Sequence, residues 1–191
     1  MLTALRTAMA TPDSDPAAIS LLAHLLVPTL DAYATALDRQ QAAARAVEAA
    51  SVEEATADTE WDTALDRLTW GLRGADGAPI PLSTLVGLSP ARARQLKPVD
   101  AVELAQRLDH ALSLRPDIST NPADREALER ATTRLQAATT ARGTAYRNRI
   151  AATMELDAQN LLFDPAISSA ARTLRITFGD ATVARLFPKF Y

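Results

Sequence analysis

The sequence predicts an all-α protein: an elongated antiparallel bundle of two long helices, about residues 29–73 and 122–163, flanked by shorter ones. Three observations predict it. The first stretch runs from Thr29 with no proline and no glycine until Gly71, and both stretches carry apolar residues at helical spacing. The two stretches also carry opposite charge. Glu48, Glu53, Glu54, Asp58, Glu60, Asp62 and Asp66 have no basic residue among them, while Arg130, Arg134, Arg142, Arg147 and Arg149 have no acid between the first and the last. The third observation is a repeated junction: Asp15-Pro16, Ser89-Pro90, Asn121-Pro122 and Asp164-Pro165 each pair a short polar residue with proline and are followed by Ala. The polar side chain accepts first-turn N–H groups. Proline supplies the right φ at the next position and pushes the residue before it out of the α region. Four such junctions predict four helix starts, with Lys97-Pro98 as a weaker fifth that lacks a capping side chain.

In chain order, residues 1–10 predict a short helix with Leu2, Leu5 and Met9 on one face. Residues 16–27 predict another, with Ile19, Leu22 and Leu26 on one stripe. Pro28 either ends this helix or kinks it into the next. From Leu30 a seven-residue repeat runs through Leu37, Ala44, Ser51, Asp58, Leu65 and Leu72. Its companion line is Tyr33, Gln40, Val47, Glu54, Trp61 and Leu68, so the seam is apolar at its ends and polar or small at its centre. Gly71, Gly74 and Gly77, then Pro79 and Pro81, stop the helix.

Residues 74–121 form a helical connector, with short helices over 82–86 and 90–96 and a better one over 98–114 bearing Val102, Leu104, Leu108 and Leu112. The second long helix has an Ala-rich inner stripe through Leu128, Ala131, Leu135, Ala138, Arg142 and Ala145, continuing by a drift to Tyr146, Ile150, Met154 and Leu161. Gly143 in its middle is either a tolerated glycine or a point of close helix contact. Asp164-Pro165 predicts a last helix, with Gly179 at its end and a final turn through Leu186. The aromatic tail 187–191 carries Phe187, Phe190 and Tyr191.

Composition narrows function mainly by exclusion. The 191 residues are 48% hydrophobic and 23% charged with net charge −3, which fits one folded domain and gives no global attraction to nucleic acid or an anionic membrane. Eighteen of the twenty basic residues are Arg, and with abundant Ala this reflects a GC-rich genome. No cysteine is present, which removes disulfides, thiolate metal sites and Cys nucleophiles. The longest apolar run, 18–27, is shorter than the roughly 20 residues a membrane span needs. Arg6 interrupts what would be the core of a signal peptide, so a cytoplasmic location is expected.

The chemistry-bearing residues read as structural. His24 and His110 do not follow a Glu at the spacing a di-iron bundle uses, and His24 is expected at the edge of the core. No serine stands in a nucleophile motif, and the three glycines match no phosphate loop. No catalytic residue, cofactor or metal is therefore expected.

With flush antiparallel ends, Glu54 faces Arg142, Asp62 faces Arg134, Asp66 faces Arg130 and Glu48 faces Arg149. Only Glu54 and Arg142 fall on the apolar seam together, making them the expected structural pair, with Asp58 and Arg149 as neighbouring polar seam residues. The favoured function is a non-enzymatic helical interaction or scaffold protein, with a protein partner or a second copy docking at the Phe187, Phe190, Tyr191 tail. The alternative is a ligand-binding, metal-binding or enzymatic bundle using the polar seam. A nucleic-acid binder through the Arg run comes third, because the acidic helix supplies the counter-ions; partners of the nucleic-acid or membrane kind are not expected.

Overall fold

The computed structural model describes residues 15–187. The short helix expected over 1–10, and the tail residues Phe190 and Tyr191, lie outside the described residues.

The protein is all-α. Its described helices are α1 (Pro16–Gly71), α2 (Leu82–Val86), α3 (Pro90–Ala93), α4 (Pro98–Ser113), α5 (Pro122–Phe178) and α6 (Asp180–Leu186). Among the described residues the only β pairing is two isolated bridges, which tie Arg73 to Pro79 and to Ser119. Helices α1 and α5 pack against each other antiparallel: Tyr33 stacks near Phe163, Trp61 bonds Thr132, and rising numbers on one helix meet falling numbers on the other.

Three of the four polar-proline junctions start helices as expected. Asp15 Oδ1 accepts from the Ala17 amide at 2.9 Å, Asn121 Oδ1 from Ala123 at 3.1 Å, and the Ser89 side chain from Arg92 at 3.4 Å. Pro98 also opens a helix, and its N-cap Lys97 supplies no side-chain bond.

Two expected boundaries are corrected. The first long helix does not begin near residue 29; α1 runs through Pro28 from Pro16. The second does not end at 163; α5 runs through Pro165 to Phe178. An interior proline costs about 3 kcal/mol. Each proline faces solvent and is straddled by buried side chains one turn apart, Leu26 with Leu30 and Phe163 with Ile167. Burying each such side chain stabilises by ~1.5–3 kcal/mol, so packing outweighs the local break.

Contacts divide the chain into two compact units. One comprises Arg45–Arg147. Its core joins Trp61, Leu65, Leu68 and Leu72 of α1 to Leu104 and Leu108 of α4 and to Leu128 and Leu135 of α5. The segment 74–121 is thus part of a core, through α4. Trp61 is 1% exposed and its indole N–H donates to Thr132 Oγ1 at 3.1 Å, so the large ring is buried without orphaning its donor.

The other unit comprises Met1–Ala44 and Asn148–Tyr191. Ala18, Leu22, Leu26 and Leu30 of α1 pack there with Ile167, Ala170 and Leu174 of α5 and with Val183, Leu186 and Phe187 beyond it. Gly179, at φ +84°, breaks α5 from α6 in a conformation L side chains rarely adopt, and its amide still bonds Arg175 O at 3.0 Å. His24 is exposed rather than at the core edge. It sits two positions from both Leu22 and Leu26, about 200° around the helix from each, so a stripe built on those leucines turns it outward.

Candidate functional site

The polar seam lies in the unit Arg45–Arg147. Glu54 is the buried acid among the described residues, at 7% exposure, because it occupies a seam position of α1, one turn before Ala57 and two before Trp61. The guanidinium of Arg142 on α5 donates to its carboxylate. The expected pair is therefore present, but it is not buried on both sides: the Arg142 side chain is 53% exposed. Arginine's long stem lets it reach a seam acid while its head stays in water.

Asp58 and Asp62 follow Glu54 at one-turn intervals, half-buried on the same side of α1. Burial pushes the Asp58 carboxyl above its ordinary value, and the neighbouring Glu54 charge adds to the shift. Burial does the same to Asp62, with Asp58 and Asp66 raising it further and Arg94 opposing them. The acids outnumber the cations that reach them here.

The other expected pairs are replaced. Arg134 does not meet Asp62; it bonds Glu53 at 2.8 Å and also Glu60, and these contacts hold its pKa above the usual value. Asp66 lies 3.3 Å from Arg94 rather than beside Arg130, which pairs with Glu126 on its own helix at 3.7 Å. Glu48 and Arg149 fall in different units; within one of them Arg39 pairs with Glu155 at 2.6 Å. A shared long axis fixes which turns face each other, but the helical phase decides which acid in a turn an Arg can reach. Arg149 is exposed on α5, in the unit that does not contain Asp58.

Among the described residues no group of three or more His, Asp or Glu side chains is placed to share a metal ion. A groove of about 550 Å³ runs between α4 and α5, floored by Leu68, Leu108, Leu112 and Leu128, with Gln106, Glu129 and Gln136 among its polar lining residues. Asp109 and Arg125, 2.6 Å apart, bridge its rim.

Of the tail, Phe187 is 1% exposed and packs in the same core cluster as Leu22, Leu174 and Val183, its amide bonding Val183 O at 2.8 Å. It folds back onto its own unit instead of projecting.

The feature that sequence reasoning misplaced is the outward face of α5. Tyr146, Ile150, Met154 and Leu161 were expected on the inner stripe; they are exposed by 57%, 50%, 67% and 78%. The drift of the stripe is the error. Counting back from buried Phe163 by threes and fours gives Gln159, Leu156 and Ala152, all half-buried, and these are the true inner positions there. Small Ala152 and polar Gln159 concealed the inner stripe, and the larger residues on the opposite face drew the reading. Gly143 also belongs to the outward face: a Cβ there would meet only Arg147 Nη1, at 3.9 Å, so no helix crowds it.

Helix α1 also contains an 18-residue window near the N-terminus with mean hydropathy 1.4, of which 22% is buried. The run of apolar residues read from sequence was shorter because it stopped at Pro28.

Compared with protein-family models, curated proteins and solved structures, the chain matches none.

Proposed function

We propose that this chain is a non-enzymatic helical interaction protein whose docking surface is the outward face of α5. One observation carries the reading: Ile150, Met154 and Leu161, in one compact unit, follow helical spacing and lie exposed on the side of α5 away from its packing partner. Single exposed apolar residues are ordinary, but a contiguous apolar stripe marks an interaction site. Phe187 is consumed by its own core and is not free to dock a partner.

Two features support this over the polar-seam and nucleic-acid readings. Arg134 and Arg142 already bond Glu53, Glu60 and Glu54. Cations held by acids release few counterions from a phosphate backbone. Burial, and after it the neighbouring acids, raises the pKa of Asp58 and Asp62.

The experiment is a pull-down from the native host with the full chain as bait, run beside the Ile150→Lys/Met154→Lys variant. The interaction reading expects bound protein to be lost with the variant while its circular dichroism is unchanged. Equal recovery on both baits would refute this surface.

The apolar window of α1 gives a second reading, in which the chain associates with a membrane through that helix. Against it, Leu22, Leu26 and Leu30 of α1 are already packed with Ile167 and Leu174. Flotation with liposomes decides: the first reading expects the chain to stay at the bottom of the gradient.

A further inference from the structure

A groove of about 410 Å³ opens between α1 and α5, wholly inside the unit Arg45–Arg147. Arg67 of α1 and Arg130 and Arg134 of α5 line it, and among the described residues its lining holds one acid, Glu60. Antiparallel packing explains the arrangement. Arg134 bonds Glu60, which fixes the register at one end of the groove. Two turns further along α1, and two turns back along α5, Arg67 comes level with Ala127. Between these ends Arg130 comes level with Ala64.

The two ends therefore differ in charge. At one, Arg134 is held by Glu60 and by Glu53 at 2.8 Å. At the other, two cations stand across from alanines. Ala64 and Ala131 are buried and form a floor too small to fill the space between the arginine stems. Arg67 makes no ion pair among the described residues. Arg130 has only Glu126 of its own helix, at 3.7 Å, and both side chains are largely exposed, so that pair contributes little. Thr59 and Thr63 also line the groove. Their hydroxyls donate to the helix carbonyls of Ala55 and Thr59, each at 2.9 Å, which leaves the two oxygens to accept from a ligand.

We infer that this groove binds a phosphate dianion between the Arg67 and Arg130 guanidinium groups, carried as the monoester of a small polyhydroxylated molecule. A phosphate near neutral pH carries close to two negative charges, which two guanidinium groups match. Each guanidinium can give two parallel N–H bonds to the phosphate oxygens. The ester's own hydroxyls donate to Thr59 and Thr63. Size supports an ester, since sites for small organic ligands begin at about 300 Å³ and a bare phosphate fills far less. An acidic peptide fits worse, because Glu126 and Glu129 stand beside Arg130 and repel further carboxylates. This site is separate from the outward face of α5 and does not depend on it.

The test is proton–nitrogen correlation NMR of the full chain at low salt. It is titrated with glycerol 3-phosphate, with inorganic phosphate and with glycerol, each to about 20 mM. The ester should bind with a dissociation constant on the order of 10⁻³ to 10⁻⁴ M, inorganic phosphate several-fold more weakly, and glycerol not at all. The shifts should centre on Thr63, Arg67 and Arg130. Arg67→Gln and Arg130→Gln should each weaken binding about tenfold or more. Glu126→Gln should tighten it, because Arg130 loses its competing partner. Arg107→Gln, an exposed arginine on α4, should change nothing. All four positions are exposed, so the fold is expected to persist in each variant. No saturable shift with either phosphate overturns the inference. So does a loss as large in Arg107→Gln as in Arg67→Gln, or weaker binding in Glu126→Gln. Inorganic phosphate binding as tightly as the ester overturns the threonine contacts and makes this a site for free phosphate.

Discussion

Replacing Arg142 by alanine tests how the seam divides its energy between a buried acid and an exposed base. Truncating one member of a fully buried ion pair costs about 3–5 kcal/mol, and that was the expectation from sequence. The structure lowers it. Arg142 keeps 53% of its side chain in contact with solvent, so the attraction itself is that of a surface pair, about 0–1 kcal/mol. Glu54 is different: at 7% exposure its carboxylate loses a partner that water only partly replaces, adding a penalty of about 1–3 kcal/mol. Arg142→Ala should therefore cost about 1–3 kcal/mol in all. Arg134→Ala removes contacts to Glu53 and Glu60, whose side chains are 52% and 47% exposed, and should cost less than Arg142→Ala. Glu54→Met removes the buried charge itself and should cost less than Arg142→Ala, since apolar replacement of a buried ionic group is often neutral or stabilising. Urea unfolding at pH 7 followed by tryptophan fluorescence is the assay, because Trp61 is buried in the same unit as the pair. Arg142→Ala costing no more than Arg134→Ala, or less than Glu54→Met, would refute this account.

Three further outcomes follow from the same physics. Asp62→Asn should raise stability at pH 7: burial raises this carboxyl above its ordinary value in the folded state, so the native charge opposes folding at neutral pH, and the gain should vanish on acidifying below the ordinary carboxylate range. A thermal-melt series across pH checks it, and a gain that grows on acidification would contradict the sign. Phe187→Ala should cost about 3–5 kcal/mol, as a fully buried aromatic, with no change in sedimentation mass; a lower mass at unchanged stability would return the tail to the role of a docking element. Fluorescence anisotropy with labelled DNA or RNA at physiological salt should detect no binding tighter than the non-specific range of about 10⁻⁴ to 10⁻⁶ M, and a submicromolar, salt-sensitive constant would mean that the Arg run is not held by its acids.

The sequence by itself determined the helical class, three of four polar-proline helix starts, the stop after Gly71 and the facing of Glu54 with Arg142. These depend on local rules, a capping side chain, a fixed φ, a glycine, or on one long-range fact, that antiparallel helices flush at one end, near residues 73 and 122, have a known register. Only the tertiary structure decided the rest. Pro165 carries the same local signal as Pro16 and Pro122, yet it and Pro28 sit inside helices, because buried side chains on both sides of each keep the chain helical through the break. The pairing of Arg134 with Glu53 and Glu60, not Asp62, depends on a rotation of α1 that no periodicity specifies. The outward turn of Ile150 and Met154 had the same cause in reverse: where Ala152 faces inward, hydrophobic size no longer marks the packing side, and only a neighbouring helix reveals which face it covers.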